Sequence, residues 1–261
     1  MTTRPITPPA GPTPDPWTDL RAYTQARLAL GRSGHSLPTD EVLRFGMAHA
    51  LARDAVHLPL DVPALEAAFR AQGRGTLQVR SAAPDRATYL VRPDLGRRLD
   101  ADSAQRLGER AAQAPTGGID LLLVVADGLS SLGVQSNAEP LVTQITAQAA
   151  PGWSIGPVVI ATQARVALGD EIGDVLGARF VAVLIGERPG LSSPDSLGIY
   201  LTAAPTIGRL DSQRNCISNI RAAGLAPEQA ARTLWWLCGE GRRLGATGIG
   251  LTPNAPVLGS G

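Results

Sequence analysis

From Ile119 onward, apolar and polar positions fall into a repeating rhythm. Four runs, IDLLLVVADG, GPVVIAT, RFVAVLIGE and LGIYLT, are apolar almost throughout and break at Gly or polar residues. Runs of this kind predict strands buried on both faces. Helical spacing covers about Ala138–Ala149, Val166–Gly177 and Glu228–Leu244. A further helix is expected to begin near Gln213, and TGIGLT reads as a final strand. Buried strands alternating with helices imply an α/β fold, a Rossmann-like, mostly parallel sheet with helices on both faces.

Upstream the pattern is helical. Thr18 or Asp19 is placed to cap a helix running to about Leu30, where Gly31 ends it. Thr39 caps a longer one through Val56, with Leu43, Met47, Ala50 and Leu51 at helical spacing. Asp61 opens a third over Val62–Ala71. Residues 76–99, with Arg-rich turns between short extended pieces, read as an irregular bridge. A helix around Asp102–Ala114 follows, stopped by Pro115 and Gly117-Gly118. The expected organisation is a Pro-rich flexible leader (1–16), a helical N-terminal region with the bridge (17–115), the α/β domain (116–251) and a tail (252–261).

Composition narrows the chemistry mainly by what is missing. All 24 Lys-plus-Arg residues are Arg, so no amine is present for a pyridoxal-phosphate Schiff base or a Walker-type phosphate lysine. The only histidines are His35, His49 and His57, which leaves the α/β half without an imidazole of its own for a metal or a nucleophile. A net charge of +1 gives no electrostatic case for nucleic acid. No apolar run approaches the ~20 residues of a membrane span, and the leader lacks the apolar core of a secretory signal. Cys216 and Cys238 do not make a disulfide framework, which fits a reducing cytoplasm.

Two polar loops concentrate the remaining candidates. GERPGLSSPDS (Gly186–Ser196) follows a buried strand, and DSQRNCISN (Asp211–Asn219) is read as a second loop at a strand end. Open α/β sheets place their ligands at such ends. Glu187 emerges directly from a buried strand; either Arg188 neutralises it or it accepts hydrogen bonds from amide donors of a ligand. Ser192, Ser193 and Asp195 lack the histidine that a serine hydrolase needs. Cys216 also has no local base, and reads better as a small thiol packed on a ligand, while Cys238 reads as core. Asp127 and Gly128 in VVADGLSSLGV lack the glycine triplet of a dinucleotide fingerprint, and read either as a tight strand-to-helix turn or as backbone amides set near a ligand's phosphate or sugar. Asp170, Glu171 and Asp174 read as a solvated carboxylate face, and the His49–Arg53–His57 stripe as a solvated or subunit-facing surface.

Several strings are too long and idiosyncratic for chance: RVALGDEIG (165–173), VLIGERPGLSSPDSLGIYLT (183–202) and RNCISNIR (214–221). Together with ARLALGRSG (26–34), RDAVH (53–57), YLVRPDLGRRL (89–99) and VVADGLSS (124–131), they resemble the small-subunit family of ethanolamine ammonia-lyase. The connection LTAAPTIGRLDSQRN resembles the family less. The resemblance implies one subunit of an adenosylcobalamin-dependent carbon–nitrogen lyase that converts ethanolamine to acetaldehyde and ammonia. It implies a hetero-oligomer in which the large subunit carries the substrate pocket, while this chain holds one side of the cobalamin. Carried over by motif position, the cobalamin contacts are Val166, Glu187 and Cys216, with no catalytic residue and no metal ligand on this chain. The setting expected from it is cytoplasmic, free or inside a bacterial microcompartment. A non-catalytic cobalamin- or nucleotide-binding module is the alternative, and a nicotinamide oxidoreductase ranks last for want of the glycine triplet.

Overall fold

The computed structural model describes residues 11–113 and 118–251. Most of the expected leader, the tail, Pro115 and Gly117 lie outside these residues. The described part falls into two compact units: residues up to Asp54 with Gly190–Ser193, and the remainder from Ala55.

The larger unit is built on one six-stranded sheet. Its strands are β1 (Thr76–Arg80), β2 (Ile119–Ala126), β3 (Ile155–Thr162), β4 (Ala178–Gly186), β5 (Leu197–Ala203) and β6 (Arg214–Ile220). Their spatial order is β1-β3-β2-β4-β5-β6. The first three pairings are parallel and the last two antiparallel. The sheet is therefore the expected α/β type, with a mixed edge where LGIYLT returns against its neighbour.

Helices cover both faces, and β2 shows why. Leu121, Leu123 and Val125 point into a core with α2 (Val62–Ala71), α5 (Ser131–Ala147) and α7 (Pro227–Leu244). Leu122, Val124 and Ala126 point the other way, against α4 (Ala101–Ala112) and α6 (Leu168–Val175). Leu121–Val125 are at most 1% exposed, so each side chain contributes about 1.5–3 kcal/mol of burial. Side-chain caps start the helices: Asp61 accepts from the Ala64 N–H at 3.0 Å, Asp100 from Ser103 at 2.8 Å and Ser130 from Gly133 at 3.0 Å. The Ser130 cap is also why α5 begins at Ser131, well before the expected Ala138.

Several expectations are corrected. The bridge contains β1, which pairs with β3, and a short helix α3 (Arg86–Val91). The Asp211–Asn219 stretch is not a loop at the ligand end. Asp211–Gln213 is a single 3-10 turn, and from Arg214 the chain is β6, whose alternating residues extend the sheet beyond β5. Hence no helix begins near Gln213. Residues 247–251 form no strand.

In the smaller unit, α1 (Thr39–His57) takes in Thr39 itself rather than being capped by it, and its last three residues belong to the larger unit. The helix expected from Thr18 to Leu30 is only a 3-10 turn, Thr18–Ala22. Trp17 and Tyr23 at its ends are 66% and 87% exposed, so there is no burial to support a longer helix.

Candidate functional site

The carboxyl ends of β2, β3 and β4 meet at a cavity of about 460 Å³, on the α6 side of the sheet. Its lining includes Tyr89, Arg165, Val166, Ile185, Glu187 and Tyr200. Gly128 allows the strand ends to close up here. Its φ is +56°, and a Cβ would collide with the Gly186 carbonyl and the Ile185 side chain. An L side chain would be strained by that backbone even in open space.

Asp127, at the end of β2, organises the floor. It is 3% exposed and accepts the backbone N–H groups of Gln163 at 2.8 Å and Ala164 at 3.0 Å. Arg86 approaches it at 3.5 Å. Burial nevertheless pushes the Asp127 carboxyl above the ordinary range, against those hydrogen bonds. The same bonds hold Gln163 in the left-handed region, φ +55°, and so set the path of the chain into Arg165 and Val166.

Tyr89, from α3, is fully buried, and its hydroxyl donates to the Ala164 carbonyl at 3.0 Å. Burial, reinforced by Asp127, raises its phenol so far that it stays neutral. The guanidinium carbons of Arg86 and Arg165 lie 4.8 and 4.2 Å from its ring centroid.

Glu187 is not neutralised by Arg188, with which it forms no ion pair among the described residues. Ser196 Oγ donates to its carboxylate at 2.6 Å, and the Asn219 N–H at 3.2 Å. The carboxylate is thereby oriented while remaining half-exposed, with lone pairs left to accept further donors. Cys216 sits on β6 directly opposite Tyr200 of β5. Tyr200 lines the cavity, so Cys216 is one strand removed from it. Burial pushes the Tyr200 phenol up to about 12, with the neighbouring Cys216 and Glu187 contributing. Desolvation also raises the Cys216 thiol, and Glu187 adds to it.

Of the expected site residues, Val166 and Glu187 line one cavity, and Cys216 faces a third lining residue. The other candidates fall elsewhere. Among the described residues no cluster of His, Cys, Asp and Glu has metal-binding form. Asp170 is a buried partner of Arg214, with two contacts of 2.6 Å, and Glu171 binds Arg98 at 3.0 Å and the Leu99 N–H at 3.0 Å. Neither makes a solvated face. Cys238 is buried in the core, its thiol pushed up to about 12 by desolvation.

Tyr89, Tyr200 and Arg165 also line the cavity and were not singled out from the sequence. Tyr200 carried a usable signal. Leu197, Ile199 and Leu201 share one face of β5, so Tyr200 had to face the other way. Arg165 carried none, being one guanidinium among many.

Comparison with known proteins agrees with the strings quoted above. The family model of the ethanolamine ammonia-lyase light chain matches residues 14–252. The ethanolamine ammonia-lyase small subunit of Ralstonia nicotianae is 55% identical over 250 residues, covering 95% of this chain and 92% of that protein. The small subunit from Pseudomonas fluorescens strain Pf-5 is 54% identical over 244 residues, covering 93% and 89%. The Pseudomonas aeruginosa small subunit shows the same identity and coverage.

Proposed function

We propose, from the premise that this chain belongs to the ethanolamine ammonia-lyase light chain family, that it holds one side of adenosylcobalamin in the cavity at the carboxyl ends of β2–β4. It is a lyase subunit of a heteromeric enzyme, and the large subunit supplies the opposite wall and the ethanolamine pocket. The observation that carries the reading is a convergence. Val166, Glu187 and Cys216, far apart in sequence, come to one cavity and to a tyrosine on its wall.

The residues suit a corrinoid. Val166, Leu129 and Ile185 give an apolar wall for the face of the ring, and Glu187 gives a fixed acceptor for peripheral carboxamide N–H groups. A corrinoid is larger than this recess, which is why a second wall is required. When bound, adenosylcobalamin supplies the radical chemistry. This chain's residues bind and orient it, and keep water from the buried flank.

The test is reconstitution of this chain with its large subunit, adenosylcobalamin and ethanolamine, reading acetaldehyde and cofactor affinity. Glu187→Gln is expected to weaken affinity about tenfold, with thermal unfolding unchanged. Unchanged affinity removes Glu187 from the site. No acetaldehyde with a competent large subunit overturns the assignment.

A further inference from the structure

Arg165 precedes Val166 and has no task in the reading above, yet its placement is unusually constrained. Its backbone N–H donates to the Gly96 carbonyl at 2.8 Å. Its stem lies flat on that glycine, where an added Cβ would come within 2.8 Å of Arg165 Cγ. Its guanidinium stacks 4.2 Å from the Tyr89 ring centroid, and Nη2 donates to the Tyr89 carbonyl at 3.2 Å. Tyr89 is itself immobilised by its bond to Ala164. The charge is thus preorganised on the cavity wall rather than waving in solvent.

What it lacks, among the described residues, is a counter-ion. Nε is buried, with no hydrogen-bond partner among the described residues. Among the described residues no carboxylate forms an ion pair with Arg165, and none with Arg188 on the rim of the same cavity. The one carboxylate in the lining, Glu187, is tied to Ser196 and Asn219. A rigid guanidinium on the cavity wall with no counter-ion among the described residues matches an oxyanion better than a neutral carbonyl, which satisfies a hydrogen but leaves the charge.

We propose that Arg165 is an oxyanion anchor, receiving the phosphodiester of the cofactor's nucleotide loop. This rests on the cobalamin reading above and adds to it which part of the ligand meets this chain. It assigns Arg165 a specificity role, favouring a corrinoid that carries its nucleotide loop over one that has lost it.

The complex of light and large subunits is titrated with adenosylcobalamin and with adenosylcobinamide, which lacks the phosphate, ribose and base. Binding is followed by absorbance, and thermal unfolding is recorded for each variant. Arg165→Met is expected to weaken adenosylcobalamin about 10- to 100-fold and adenosylcobinamide less than about twofold, with Arg165→Lys intermediate. Equal weakening of both ligands, or of neither, overturns the proposal. A third arm adds inorganic phosphate to the full-length light chain alone. Arg165-dependent heat protection there, with cobalamin affinity untouched by Arg165→Met, reassigns the site to a free anion and overturns it too. Failure of the cobalamin reading looks different: in the wild-type complex, binding of both corrinoids would be indifferent to the light chain and to Glu187→Gln.

Discussion

At the amino ends of β2 and β4, a cavity of about 520 Å³ is lined by residues including Asp120, Arg179, Phe180 and Arg242. Both arginines turn to the same carboxylate, Arg179 at 3.6 Å and Arg242 at 3.9 Å, and Arg242 stacks 4.9 Å from the Trp153 ring centroid. At the carboxyl ends, the 460 Å³ cavity also holds two arginines, Arg165 and Arg188, and one acid, Glu187. There the acid is held by Ser196 and Asn219, and among the described residues the arginines have no carboxylate. Size does not separate the two recesses. What separates them is that charge is matched within the chain at one end and left unmatched at the other. Unmatched charge on a rigid wall is what a ligand site requires, and it lies at the end where parallel sheets place their ligands.

The extreme of internal matching is Arg214, so its removal should produce the largest effect. It binds Asp170 through both Nη atoms at 2.6 Å and Thr202 at 2.8 Å, and both charged side chains are almost fully buried. Arg214→Met is expected to cost about 3–5 kcal/mol in denaturant unfolding, because it strands a buried carboxylate. Adding Asp170→Leu should recover most of that loss. A single-variant cost below about 1 kcal/mol would show that the carboxylate finds other partners, and would weaken the contrast between the two ends.

Gly128→Ala comes next, at about 1–3 kcal/mol, because of its positive φ and the Gly186 carbonyl behind it. It should also reduce cofactor affinity, since the displaced Gly186 adjoins Glu187. Gly108 is the control. It lies inside α4 with open space around it, so Gly108→Ala should stabilise by about 0.5–1 kcal/mol and leave affinity alone.

The sheet was legible where burial is two-sided. IDLLLVVA, GPVVIAT and RFVAVLIG became β2, β3 and β4 within a residue or so, because an unbroken apolar run has few other solutions. RNCISNI was misread because β6 is an edge strand, with Cys216, Ser218 and Asn219 exposed, so its composition resembles a loop. TLQVR reads only as one of several short extended pieces for a related reason: β1 is also an edge strand, with only Val79 buried. In the cavity, Glu187 stood out as an acid leaving a buried strand. Arg165 and Tyr89 did not, because their roles depend on Gly96 and Asp127 meeting them across the fold. Pairings between distant segments leave no local period to detect.

Smaller effects compare the charges of the two recesses directly. Asp120 also accepts the Ser154 N–H at 3.0 Å, so Asp120→Ala should cost about 1 kcal/mol and leave cofactor affinity intact. Arg188→Ala should change stability by less than about 0.5 kcal/mol, having no ion pair among the described residues to lose. Chemical denaturation of the two variants in parallel checks both. A loss at Arg188 as large as that at Asp120 would erase the distinction between the two ends.

The smallest effect is on the thiols, and it examines the carboxyl-end geometry without any cofactor. Desolvation raises the Cys216 thiol above the ordinary value and Glu187 raises it further, although a hydrogen bond from Tyr200 opposes both. Alkylation requires the thiolate, so a raised pKa means slower reaction at neutral pH, with the rate climbing until pH passes the usual thiol range near 8.5. Cys216 is exposed, so access does not limit it. Cys238, buried and pushed up to about 12, should stay unreactive until the chain unfolds. Glu187→Gln removes one of the two influences that raise the Cys216 thiol, and should speed its alkylation by about two- to threefold. The same change at Asp120, at the opposite end of the sheet, should leave the rate alone. If both variants alkylate at the wild-type rate, Glu187 and Cys216 do not share an environment, and the cavity loses its β6 side.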